Sequence, residues 1–251
     1  MKQELQEPFL TAYKKVAKLQ KHDRYLGAFL FGSVVRGEQG KNSDLDVIVI
    51  VDRDNGCKEI NHPVINGLKL DISFRSLDQI KKDNEDVVKK GERIPMIAES
   101  IIIFDKKGEL AKFKNKFKNI KRKKAQGKDY QFIHFMLYHS DNKAKRNLKD
   151  DKPTALLAMS INLNEILRFH YHINGRWWLS NKRLLPDLRK WDAKLAKLVE
   201  NFISTSEVGK KYKFWGQILD HVANQIGGRK EISEINCNCG VCRKDLKLIT
   251  E

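Results

Sequence analysis

The sequence predicts an α+β protein: a mixed sheet with flanking helices over residues 1–105, then an all-α half over 106–251. Every strand-like run, short and rich in β-branched residues, falls between positions 25 and 104. From Asp105 onward the apolar spacing turns to threes and fours with few breakers. Charge divides at the same place. Residues 1–104 carry 17 basic and 16 acidic side chains, whereas residues 105–251 carry 32 and 16.

In chain order, Leu5, Phe9 or Leu10, Tyr13, Val16 and Leu19 are spaced for an amphipathic helix over 3–20. Tyr25 to Phe31 is a short apolar run that stops at Gly32, which reads as a strand. Asp44 to Val51, DLDVIVIV, is the near-continuous β-branched pattern of a central strand covered on both faces. Residues 68–75 alternate: Leu68, Leu70, Ile72 and Phe74 against Lys69, Asp71, Ser73 and Arg75. That spacing predicts a strand with Asp71 on an open, polar face. A helix over 78–91 and a strand over 101–104 complete the α/β unit. Helices are then expected near 107–124, 130–149, 153–173, 187–204 and 207–227. Pro153 stands in a first turn, and Gly227 and Gly228 act as a stop. The polar tail from Arg229 has no clear period.

No run approaches the roughly 18 apolar residues of a spanning helix, and the first ten residues lack the apolar core of a signal peptide. Cys57 stands alone while Cys237, Cys239 and Cys242 crowd together, which is not the spacing of a disulfide framework. A cytoplasmic protein without a membrane segment is expected.

The stretch that carries chemistry is Leu30 to Val51, LFGSVVRGEQGKNSDLDVIVIV. A strand ends at Gly32, Ser33 opens a short helix, and Asp44 and Asp46 follow. Positions i and i+2 of a strand point the same way, so the two carboxylates sit side by side, where they repel unless a cation lies between them. Hard oxygen ligands favour Mg²⁺, which shares its coordination shell readily with phosphates. Strands consecutive in sequence usually lie close together, so Asp71 is expected to join the pair, and three convergent carboxylates suit two metal ions about 4 Å apart. Gly32 lets backbone approach a phosphate, Ser33 opens a helix whose N–H groups attract anions, and Arg36 lies three residues along on the same side.

These residues resemble the DNA polymerase beta-like nucleotidyltransferase superfamily: GS at 32–33, RG at 36–37, DLD at 44–46 and a single aspartate in a later strand at 71. The resemblance covers roughly residues 25–105. The order of an α/β unit and a helical half is similar to the two-domain adenylyltransferases that modify aminoglycosides and lincosamides. The resemblance implies that Asp44, Asp46 and Asp71 are catalytic and bind two Mg²⁺, and that Gly32, Ser33 and Arg36 hold the β- and γ-phosphates. It further implies transfer of a nucleoside monophosphate, AMP from ATP or the equivalent group of another nucleoside triphosphate, to a hydroxyl with release of pyrophosphate.

Charge bears on the acceptor. Aminoglycosides are polycations and fit poorly with a half at +16, so a neutral or weakly charged small molecule is the expected acceptor. Lys106 to Lys128 holds eleven Lys and Arg against Glu109 alone, which makes RNA or tRNA the rival acceptor, beside a protein side chain. No RNP sequence supports the RNA reading. A catalytically silent basic module is the reading of another class, and the intact acids at 44, 46 and 71 speak against it.

Other signals are weaker. No general base stands out beyond Asp71 acting through a shared metal; Glu99 reads first as solvated and second as reaching the site, and Asp52 and Asp54 are expected at the far end of their strand. Cys237, Cys239 and Cys242 offer three thiolates where a structural zinc wants four ligands. Trp177 and Trp178, with Asn181, Lys182 and Arg183, read first as packing between helices and second as ring-stacking groups over an acceptor. His134, His139, His170 and His172 read as helix residues beside a core or groove.

Overall fold

The computed structural model describes residues 5–53, 57, 59–91, 94–235 and 239–242. The chain divides into two compact units, Met1–Lys121 and Arg122–Glu251.

In the first unit the elements run α1 (Phe9–Ala17), a 3₁₀ turn (Lys18–Lys21), β1 (Tyr25–Leu30), α2 (Gly32–Arg36), β2 (Leu45–Val51), β3 (Val64–Ile65) and β4 (Leu68–Ser76). They continue with α3 (Leu77–Lys90), α4 (Met96–Glu99), β5 (Ile101–Asp105) and α5 (Glu109–Lys118). The five strands form one mixed sheet in the order β3-β4-β2-β1-β5. β2 runs antiparallel to β1 and parallel to β4, and β1 pairs antiparallel with β5. The unbroken apolar run of β2 has the expected cause, burial on both faces. Leu45, Val47 and Val49 pack with Ala12 and Val16 of α1, while Ile48 and Ile50 pack with α3, α4 and α5.

Three local readings change, and one hairpin is added. The first helix spans 9–17 rather than 3–20, and residues 1–4 lie outside the described residues. β3 and β4 form a hairpin whose turn, Asn66-Gly67, has φ of 50° and 77°, the left-handed pair a two-residue turn requires. The polar face of β4 is not open along its length. α3 folds back over it, so Ser73 and Arg75 are buried and Arg75 donates to Gln79 at 3.2 Å and Asp83 at 2.7 Å. The helix expected over 107–124 stops at Lys118. Beyond it, a continued helix would place Lys121 and Arg122 beside Lys118, and Lys124 beside Lys121, like-charge pairs that disfavour helix.

The first compact unit runs to Lys121. α5 lies with the sheet because Leu110, Phe113 and Phe117 are buried among Phe29, Phe31 and Ile50. The approach is close enough that a Cβ on Gly27 would stand 2.3 Å from Leu110.

The second unit contains α6 (Lys128–Asn147), α7 (Lys152–Ile173), α8 (Asn181–Trp191), α9 (Ala193–Ser204) and α10 (Val208–Ala223) around one apolar core that includes Met159, Ile166, Tyr171, Trp215 and Leu219. Asp151 caps α7 by accepting from Thr154 N at 3.0 Å, with Pro153 in the first turn. The single helix expected over 187–204 is two helices. Asp192, at φ −143° and ψ 70°, breaks the run and caps α9 through Leu195 N at 3.0 Å. Trp178 packs edge-on against Tyr171 and beneath Arg168, in agreement with a packing role. The start of the tail is anchored: Arg229 pairs with Asp141 and Asp220 and donates to Gly216 O. No helix among the described residues is long and apolar enough to cross a membrane.

Candidate active site

The site is assembled at one end of the two central strands. Phe31 N donates to Asp46 O at 2.9 Å, tying the end of β1 to the start of β2. The chain then turns at Gly32 with φ +76°, and a Cβ there would lie 1.8 Å from Asp46 Oδ2. Glycine is required twice over, by the backbone angle and by the carboxylate pressed against it. Ser33 is buried in the first turn of α2, and Gly37 closes the helix at φ 71°. Asp44 follows a turn held by Gly40 N on Ser43 Oγ at 2.9 Å and by Ser43 N on Gly40 O at 3.1 Å.

Asp46 and Asp71 are direct partners in the parallel β2–β4 register, so their side chains leave the same face of the sheet. Asp44 joins them from two residues before Asp46, and one carboxylate oxygen from each of the three lies within 4.8 Å of the other two. The side chain of Asp44 is 38% exposed and that of Asp71 19%, so ligands can reach them from solvent.

Three carboxylates this close need positive charge, and part of it comes from residues that the strand pattern did not single out. Lys69 Nζ stands 3.0 Å from Asp71 Oδ1 and 3.4 Å from Asp44 Oδ2. His62 Nδ1 stands 2.5 Å from Asp71 Oδ1. Burial pushes the Asp71 carboxyl up, but hydrogen bonds from His62 and Lys69 outweigh it and hold the group below the usual range. The hydrogen bond to Asp71 correspondingly raises Lys69. Lys69 was legible, lying two residues from Asp71 on the same face. His62 follows from the hairpin register.

Arg36 does not point freely at the acids. Its Nε donates to Glu38 Oε2 at 2.7 Å, and its Nη1 lies 3.7 Å from Glu99 Oε2. Glu99 therefore faces a phosphate-binding candidate, where the sequence suggested a solvated side chain. Asp52 sits just beyond the other end of β2, as expected, and Asp54 lies outside the described residues. Cys237 is also outside them; Cys239 is exposed and Cys242 half-buried.

Residues 13–125 match the family model described as nucleotidyltransferase domain. The match falls on the N-terminal unit, whose mixed sheet and flanking helices are thus similar to a nucleotidyltransferase domain, and a mostly helical region follows it. Among solved structures, a nucleotidyltransferase-like protein from Exiguobacterium sibiricum is similar over 85% of this chain and 72% of its own, at 15% identity and a TM-score of 0.47. No curated protein matches the chain.

Proposed function

We propose that the protein transfers a nucleoside monophosphate, AMP from ATP, to a hydroxyl of a small-molecule acceptor and releases pyrophosphate. The observation that carries this reading is the convergence of Asp44, Asp46 and Asp71 within 4.8 Å beside Gly32.

The donor set suits Mg²⁺, all hard carboxylate oxygen with room for waters and phosphate oxygens, and Asp44, Asp46 and Asp71 would hold two such ions. When bound, the metal supplies charge neutralisation and Lewis-acid polarisation at the phosphoryl oxygens. The remaining work falls to the chain. Gly32, without a Cβ, leaves its backbone open to a phosphate oxygen, and Ser33 offers the N–H groups of the first turn of α2. Arg36 exchanges its pairing with Glu38 for the β- and γ-phosphates, placing a planar fork where negative charge grows as pyrophosphate leaves. Lys69 and His62 orient Asp71. In the transfer, the acceptor hydroxyl oxygen attacks the α-phosphorus and gives up its proton to solvent, the bond to the bridging oxygen breaks, and that oxygen departs with pyrophosphate.

A second reading, an RNA acceptor, draws on the exposed lysines at 121, 123, 124 and 128. Two other lysines of the basic segment are occupied: Lys114 donates to Ser100 O and Lys116 pairs with Glu85 at 2.6 Å.

Incubation with Mg²⁺, α-labelled ATP and a cell extract tests both. Label in the small-molecule fraction, resistant to RNase, supports the first reading. RNase-sensitive label, with affinity falling log-linearly as salt rises, supports the second. No transferred label, and no shift of Tm by Mg²⁺ with ATP, supports a silent module.

A further inference from the structure

The helical unit brings together a second group of ligand-type side chains, unrelated to the triad: His170 from α7, Asp192 from the α8–α9 junction and His221 from α10. Asp192 Oδ2 stands 2.7 Å from His221 Nε2 and 3.0 Å from His170 Nε2. The carboxylate is fixed through its other oxygen, which caps α9 at Leu195 N. His170 is fully buried, stacked on Trp191 with ring centroids 4.8 Å apart. Its Nε2, although close to Asp192, is out of line for a hydrogen bond and makes none. A buried imidazole nitrogen beside a carboxylate without bonding to it is costly unless something else binds there.

We propose that His170, Asp192 and His221 form a binding site for one zinc-type divalent ion. Zn²⁺ takes imidazole nitrogen at about 2.0–2.1 Å and carboxylate oxygen at about 2.0–2.2 Å, so tetrahedral ligand atoms lie roughly 3.3 Å apart. Asp192 Oδ2 stands slightly closer than that to each imidazole nitrogen, all three ligand atoms lie within 4.8 Å of one another, and a spread of a few tenths of an ångström at Asp192 admits the ion. Two imidazoles and one carboxylate leave a fourth position for water, which is the pattern of an open rather than a closed zinc site. An entry path exists: His221 and Gln225 line a cleft of about 530 Å³ that also contains Lys194, Gln217 and Asn224. The soft imidazole pair separates this site from the all-carboxylate triad, whose preference is Mg²⁺.

Ring orientation adds a requirement. Gln225 Nε2 lies 3.0 Å from His170 Nδ1, while its Oε1 accepts from Asn174 at 2.8 Å. With a metal on Nε2 the ring proton moves to Nδ1, and the Gln225 amide turns to present its oxygen there. That is the outer hydrogen bond that orients a ligating histidine.

The test uses the full chain stripped with EDTA and titrated with Zn²⁺ and, separately, Co²⁺. One equivalent of Zn²⁺ should bind at micromolar concentration or below and raise Tm, and Co²⁺ should develop the visible bands of a four-coordinate N/O site without thiolate charge-transfer absorption. His221→Ala, which changes a side chain at the cleft, should weaken Zn²⁺ binding at least a hundredfold. The double variant Asp44→Asn/Asp46→Asn should bind Zn²⁺ as the parent does. The proposal is overturned by absence of stoichiometric Zn²⁺, by binding that His221→Ala leaves unchanged, or by loss of binding in the double variant. A thiolate-type Co²⁺ spectrum that disappears with Cys239→Ser and Cys242→Ser also overturns it. The wild-type Co²⁺ spectrum decides the matter even if a variant folds poorly.

Discussion

His62 and Asp71 meet across a hairpin, Nδ1 to Oδ1 at 2.5 Å, because the Asn66-Gly67 turn sets the register that pairs them. Val64 opposes Lys69 and Ile65 opposes Leu68, and the same register continued outward puts Asn61 opposite Ile72. His62 must then face Asp71. His62→Ala removes a hydrogen bond that orients a proposed metal-binding carboxylate, and such outer partners are worth about 10- to 100-fold. Apparent Mg²⁺ affinity in the transfer assay should fall at least about tenfold with Tm little changed, since His62 is half exposed. Parent-like Mg²⁺ dependence would refute an orienting role.

Asp44→Asn or Asp46→Asn should lower turnover about a thousandfold or more, the loss of several kcal/mol of transition-state stabilisation. Neither side chain belongs to the apolar core, so circular dichroism and Tm should match the parent. Pyrophosphate release is the readout, and an unchanged rate in either variant would remove the triad from the chemistry.

Gly32→Ala places a methyl where Asp46 Oδ2 stands and asks a side chain to adopt φ +76°. The strain costs about 1–2 kcal/mol, and the carboxylate must move to make room. Activity should drop far more than stability. Comparing turnover with the urea midpoint checks this, and a variant that is active but unstable would contradict it.

The pH dependence of folding should carry the signature of a buried neutral histidine. Burial pulls His170 down from the usual 6.5 to about 4, against the pull of Asp192 upward. Between those values the unfolded chain binds the extra proton, so the stability held above pH 6.5 is lost as pH falls toward 4. In EDTA, the helical unit should lose on the order of 1–2 kcal/mol between pH 7 and pH 5, with a flatter profile in His170→Gln. Urea midpoints at the two pH values measure it, and identical slopes for parent and variant would show that His170 does not carry the effect.

Much of the first unit could be read from its residues because the signals are local. A period of two places Asp44 beside Asp46 and Lys69 beside Asp71, and the unbroken apolar run of β2 marks burial on both faces. Asn66-Gly67 is a hairpin signature, and with it the position of His62 was within reach of the sequence. Asp192 similarly breaks a run of helical periodicity by capping α9, a signal overlooked when 187–204 is read as one helix.

What periodicity could not reach is which elements close on one another. The order of an α/β unit and a helical half, and the strand positions of the three acids, were encoded in spacing along the chain. The burial of Ser73 and Arg75 depends on α3 folding over β4, and the pairing of Arg36 with Glu99 depends on bringing α4 to α2. His170, Asp192 and His221 share no spacing at all. They meet because the apolar faces of α7, α9 and α10 bury one another, and that burial is non-directional, favouring area removed from water without marking in the sequence which polar neighbours it gathers.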